Sequence, residues 1–308
     1  MSTLLLSHPL FLEHLTPLGH PERPDRLRAI DRMLEHERYQ TLEREMAPLG
    51  TLDDVRRVHA DAHVRLIERL APEHGVVRID EDTAMSPGSL HAALLAVGAA
   101  TRAVDEVMTG RVKNAFCAVR PPGHHAEGNR AMGFCLFNSA AVAARHAQAA
   151  HGAERVAIVD FDVHHGNGTQ DIFWSDPTVF YGSTHQMPLY PGTGAVSETG
   201  CGNVVNAPLR AGDGGEAFME AMDTVVLPAL EAFRPDLVVV SAGFDAHVRD
   251  PLAELRLTEA DFVWITRRLM EVAGRRCGGR IVSVLEGGYD LEGLARSAAA
   301  HVATLMDG

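Results

Sequence analysis

The chain has 308 residues, 46% of them hydrophobic and 22% charged, and a formal net charge of -13. Those fractions describe a globular protein long enough to bury a core and an internal site without disulfide staples. The acidic balance argues against a nucleic-acid backbone as main partner and is compatible with basic peptides or polyamines.

The N-terminal run Met1-Ser2-Thr3-Leu4-Leu5-Leu6 has no basic region and turns polar at Ser7-His8-Pro9. It predicts a first strand over Leu4–Leu6 rather than a signal peptide. No apolar run approaches bilayer-spanning length, so neither a membrane nor export is expected and the location is expected to be cytoplasmic. A helix is predicted over 24–34, a second over 64–70, and an Ala-rich third over 89–109 that closes at Gly110. A strand over 115–119 then leads to Arg120-Pro121-Pro122-Gly123-His124-His125.

A helix over 138–151 and a strand over 156–160 precede Asp160-Phe161-Asp162-Val163-His164-His165-Gly166-Asn167. Strands are also predicted over 179–183, 237–241 and 281–285, and helices over 215–233, 259–273 and 291–305. Thr258 reads as an N-cap, with Glu259 and Asp261 in the first turn of its helix. Alternating strands and helices imply βαβ units and a mostly parallel sheet. With no repeat or long linker, the expectation is one α/β domain over residues 1–308. Cys117, Cys135, Cys201 and Cys277 form no CxxC pair and read as reduced thiols.

Four predicted strands run at their carboxyl ends into chemically loaded loops. Besides the two just quoted, they reach Ser241-Ala242-Gly243-Phe244-Asp245 and Glu286-Gly287-Gly288-Tyr289. Open α/β sheets bind ligands in the crevice beyond those ends. In an extended segment, residues 160, 162 and 164 share one side, where two carboxylates and an imidazole can converge on a divalent cation. Leaving such groups dry and unpaired would be costly. Three protein ligands with an open position describe a catalytic zinc, and mixed oxygen and nitrogen ligation also suits Fe2+ or Co2+.

At these loops, and at Gly133-Phe134-Cys135, Phe137-Asn138 and His20-Pro21-Glu22-Arg23-Pro24-Asp25-Arg26, the sequence resembles the histone deacetylase superfamily. The resemblance covers nearly the whole chain in the family's order. It implies the arginase–deacetylase fold, a single three-layer α/β/α domain. It also implies Asp162, His164 and Asp245 as zinc ligands, and His124 and His125 as the acid–base pair. Asp160 would orient His124 and fix its tautomer. Which histidine takes the first proton is left open by the sequence. Tyr289 would stabilise the oxyanion.

Asn167 stands beside His125, where one branch of the family carries Asp. Together with Glu286 it places the chain nearer the class II branch. Phe134 and Tyr190 match the aromatic walls of the acyl channel, with Gly133, Gly288 and Leu252 along it, and Arg26 matches an inner channel for acetate release. Leu252 falls where polyamine-selective relatives carry a Glu, which leans toward lysine. A structural potassium ion is implied at Asp160, Asp162, His164, Ser183 and Thr184.

The leading expectation is zinc-dependent hydrolysis of N-acetyl- or other short N-acyl-lysine in a peptide or protein, by attack of metal-activated water. No GxSxG elbow is present, in keeping with a route lacking an acyl-enzyme. The alternatives are an acetylpolyamine amidohydrolase, a two-metal ureohydrolase, which suits the single aspartate set poorly, and a non-catalytic acyl-lysine binder. Self-association into a homo-oligomer is compatible with each.

Overall fold

A computed structural model describes residues 2–308; Met1 of the expected domain lies outside the described residues. Eight strands form one sheet: β1 (Thr3–Ser7), β2 (Glu43–Met46), β3 (Asn114–Cys117), β4 (Val156–Asp160), β5 (Val179–Gln186), β6 (Val204–Leu209), β7 (Leu237–Ala242) and β8 (Ile281–Leu285). Their spatial order is β2-β1-β3-β8-β7-β4-β5-β6. Every pairing is parallel, so the sheet expected to be mostly parallel is wholly so.

Helices Ser89–Met108 and Ser139–His151 pack on each other and on the central strands. A second helical layer joins Asp25–Leu34, Leu291–Asp307 and Glu259–Cys277. The central strands are covered on both faces, which is why β4, β7 and β8 read as unbroken buried runs. Asn138 caps its helix by accepting from the amide of Ala141, and Thr258 and Asp261 form a capping box. No helix among the described residues is long and apolar enough to cross a membrane.

The structure differs from the sequence expectations at several elements. β2 and β6 lie outside the expected strands: Glu43-Arg44-Glu45-Met46 is an exposed edge, and β6, at the other edge, contains Pro208, which an edge strand tolerates. The expected helix over 215–233 is broken by a π turn at Met222–Val226. Pro228 follows it and has no N–H to continue the α ladder. A short helix, Asn167–Phe173, also begins directly behind the Asp160–Gly166 loop.

Candidate metal centre and active site

The four strands feeding the loaded loops, β3, β8, β7 and β4, are neighbours at the centre of the sheet. Parallel pairing sets their carboxyl ends at one level, with Asp160 opposite Ser241 and Leu285 opposite Ala242. Residues far apart in sequence therefore meet in one cavity. Residues 160, 162 and 164 do not share one side as expected, because the strand stops at Asp160 and residues 162–164 bend. Asp160 then faces His124, while Asp162 and His164 meet Asp245 from the β7 loop.

One potential ligand atom from each of Asp162, His164 and Asp245 lies within 4.8 Å of the other two, and all three residues are buried. His164 Nδ1 is 3.2 Å from Asp162 Oδ1 and 3.1 Å from Asp245 Oδ2. Burial alone would strip His164 of charge, but the two carboxylates prevail and hold its pKa up at about 10. Two buried carboxylates thus demand a positive charge at this point, and the donor set fits a divalent cation. Backbone amides orient the ligands. Gly287 donates to Asp162 Oδ2 at 2.8 Å, and Val163 donates to Asp245 Oδ1 at 2.9 Å. Any side chain at Gly287 would collide with these carboxylates, since a Cβ there would lie 2.1 Å from Asp245 Oδ2.

The adjacent histidines share the cavity in unlike settings, with ring centroids 4.1 Å apart. His124 Nδ1 lies 2.9 Å from Asp160 Oδ2, which also accepts from the Tyr181 hydroxyl at 3.1 Å. Burial opposes charge on His124, yet Asp160 and Asp162 outweigh it and raise its pKa well above the usual imidazole value. His125 Nδ1 lies 2.8 Å from the amide oxygen of Asn167. Burial, reinforced by repulsion from His124 and His164, holds the His125 pKa well below that value.

A cavity of about 250 Å³ reaches this centre and is lined by His125, His164, Phe134, Tyr190, Leu252 and Tyr289, together with Gly133, Leu189 and Asp82. Gly133 has φ of +56°, and a Cβ there would lie 2.4 Å from the His125 ring, so the wall needs glycine at that point. Phe134 also has positive φ, at 69°, an uncommon conformation for an aromatic residue. Burial keeps the Tyr289 phenol protonated, with its pKa well above the ordinary value.

Arg26 and Gly288 are not among the residues lining this cavity. Arg26 is wholly buried behind the wall, where Nε donates to the Gly288 carbonyl at 2.7 Å and Nη2 donates to the Glu286 carbonyl. Its guanidinium lies 5.0 Å from the centre of the Tyr289 ring. It braces the loop that carries Tyr289. Glu286 accepts from the amides of Gly123 and His124 through Oε2. Burial pushes its pKa up to about 7. Ser183 and Thr184, beside Asp160 on β5, are buried, and Thr184 Oγ1 has no hydrogen-bond partner.

Several contributors escaped the sequence reading. Asp82 lines the cavity, Tyr181 supports Asp160, and Glu22 grips both Arg120 and Arg26. Glu22, Arg26 and Arg120 stood inside recognised motifs, so a role was signalled there without its geometry. Asp82 had no such signal.

The histone deacetylase domain model matches residues 20–305. "Histone deacetylase 10, chloroplastic" of Oryza sativa subsp. japonica is 43% identical over 302 residues, 91% of this chain and 68% of that protein. A "Histone deacetylase-like amidohydrolase" of Pseudomonas aeruginosa is 42% identical over 277 residues, 88% of this chain and 73% of its own length. The crystal structure of the HDA15 HD domain superposes with a TM-score of 0.94 at 41% identity, covering 99% of this chain and 88% of that one.

Proposed function

From its place in the histone deacetylase family, to which this chain belongs, we propose that it is a zinc-dependent hydrolase removing acetyl or similar short acyl groups from N-acyl-lysine. The chain is an enzyme of the amide-hydrolysing class. One observation carries the finer reading: one cavity is lined both by the aromatic rings of Phe134 and Tyr190 and by His164, His125 and Tyr289. Asp162, His164 and Asp245 would hold the ion. When bound, zinc, or Fe2+ or Co2+ in its place, supplies a Lewis acid that polarises the acyl carbonyl and makes water nucleophilic at neutral pH.

The surrounding residues divide the proton work. His125, held neutral, accepts a proton from the attacking water through the ring nitrogen that Asn167 does not occupy, then returns it to the leaving amine. His124, held cationic by Asp160, stabilises the developing negative charge. The Tyr289 hydroxyl donates to the oxyanion. Phe134 and Tyr190 hold an unbranched methylene chain and keep water from its sides. Leu252, half-buried in the wall, offers no charge for a distal ammonium and favours lysine over a polyamine.

The proposal extends to a potassium ion held by carbonyls of Asp160, Asp162 and His164, with Ser183 and Thr184; the unpartnered Thr184 hydroxyl supports it. It extends also to a cytoplasmic location, with which four free cysteines are compatible. The cavity is built from one chain, so a homo-oligomer is not required for the chemistry.

Turnover of an acetyl-lysine peptide and of N-acetylputrescine by zinc-, iron- and cobalt-loaded protein tests the reading. The peptide is expected to be preferred at least about tenfold in kcat/KM, a gap of about 1.4 kcal/mol, with activity lost in Asp245→Ala. A reversed preference makes the chain a polyamine hydrolase. Binding without turnover under every metal makes it an acyl-lysine receptor.

A further inference from the structure

A second group of metal-ligand side chains lies outside the acyl cavity, on two packed helices. Asp105 belongs to helix Ser89–Met108, and His146 and His151 belong to helix Ser139–His151. Nε2 of His146 and Nε2 of His151 each lie 2.7 Å from the same oxygen, Oδ1 of Asp105. One ligand atom from each residue is within 4.8 Å of the other two. The side chains of His146, His151 and Asp105 are 13%, 18% and 40% exposed, so an ion can enter from solvent.

We infer that Asp105, His146 and His151 form a second site for a divalent first-row transition ion, which clamps these two helices together. As the group stands, one carboxylate oxygen receives two imidazole N–H groups. A single dication replaces both protons and satisfies all three donors at once. Ligand bonds of 2.0–2.2 Å in tetrahedral geometry set donors about 3.3 Å apart. The side chains therefore open by roughly half an ångström, a movement available to residues this exposed. Two imidazoles and one carboxylate select zinc, nickel or copper over magnesium or calcium, which prefer all-oxygen shells.

Arg57 opposes the ion. Its Nη1 lies 3.2 Å from His146 Nδ1 and can only donate, so it places the ring proton on Nε2. Coordination through Nε2 needs that proton on Nδ1, and Arg57 must turn away. Asp54, 3.4 Å from Arg57 Nη2, gives it another partner. The clamp therefore competes with Arg57, and removing the guanidinium strengthens it.

The test counts zinc tightly bound per full-length chain, with copper paramagnetic resonance reporting nitrogen ligation. Wild type is expected to hold two zinc ions and Asp245→Ala one. The double variant His146→Gln, His151→Gln is expected to hold one, keep wild-type turnover, and lose the second copper signal. Arg57→Gln is expected to bind the second ion several-fold more tightly. If the catalytic reading fails while the clamp stands, wild type holds one ion and the double variant none. Equal metal content in wild type and the double variant overturns the clamp. So does an Arg57→Gln protein with unchanged or weaker binding. Should the double variant not fold, His151→Gln alone gives the same comparison.

Discussion

Nδ1 of His125 rests 2.8 Å from the neutral amide oxygen of Asn167, whereas its neighbour His124 rests against a carboxylate. Against burial, Asp160 and Asp162 keep His124 charged, while burial and repulsion from His124 and His164 keep His125 neutral. His125 acts as a base only when unprotonated. With its pKa held down by burial and by His124 and His164, the acid limb of the kcat/KM profile falls below the ordinary imidazole value of about 6.5. Asn167→Asp puts a charge against the ring and raises its pKa by about 1–3. The limb then moves to higher pH, and turnover at neutral pH drops. A limb that stays in place, measured over pH 4–8, assigns the base to another group.

Tyr289 lines the cavity with His125 and His164, on a loop braced by Arg26. Its phenol stays protonated because burial raises its pKa. Tyr289→Phe removes an oxyanion donor and little volume. It is expected to cost about 2.7–4 kcal/mol of transition-state stabilisation, a loss in kcat of about 10²–10³. KM and the melting temperature should change little. Full turnover in this variant ends the assignment.

Most of the site was legible because each strand-end motif carries residues that apolar strands otherwise avoid, and parallel pairing then fixes where those ends meet. Asp162, His164 and Asp245 converge for that reason. What stayed hidden depends on contacts across long sequence separations or on local backbone bends. The turn after Asp160 splits its neighbours between a metal site and a histidine partner, where alternation in a strand put all three on one side. The guanidinium of Arg26 holds carbonyls of the Glu286–Gly288 loop about 260 residues away, a contact no local pattern announces. Asp82 comes from a loop with no motif. The edge strand β2 lacks an apolar run because an exposed edge does not need one.

Glu22 supports the centre from below. Its carboxylate takes two bonds from Arg120 and one from Arg26, and all three side chains are fully buried. Glu22→Gln leaves two guanidinium groups buried without a counter-charge, and is expected to cost about 3–5 kcal/mol in urea unfolding. Burial favours the protonated acid, but Arg120 outweighs it and draws the Glu22 pKa well below its usual 4.5. A depressed folded-state pKa contributes stability above the unfolded value and loses it as pH falls below that value. Wild type should therefore lose stability more steeply than Glu22→Gln below about pH 4.5. Parallel pH dependences would show that folding leaves the Glu22 pKa unshifted.

Leu252 sits half-buried in the cavity wall, and its amide donates to Asp250 Oδ1 at 3.0 Å, so its backbone is anchored while its side chain faces the substrate. Leu252→Glu adds a charge where an acetylated polyamine would present its distal ammonium. A partly exposed ion pair is worth about 0.2–1 kcal/mol. The kcat/KM for N-acetylputrescine should therefore rise by roughly 1.5- to 5-fold relative to that for the peptide. The gain should fade at high salt, because exposed pairs are screened within a Debye length of about 10 Å at 0.1 M. A gain that persists in 1 M salt would trace to channel shape, and no gain would place the ammonium away from residue 252.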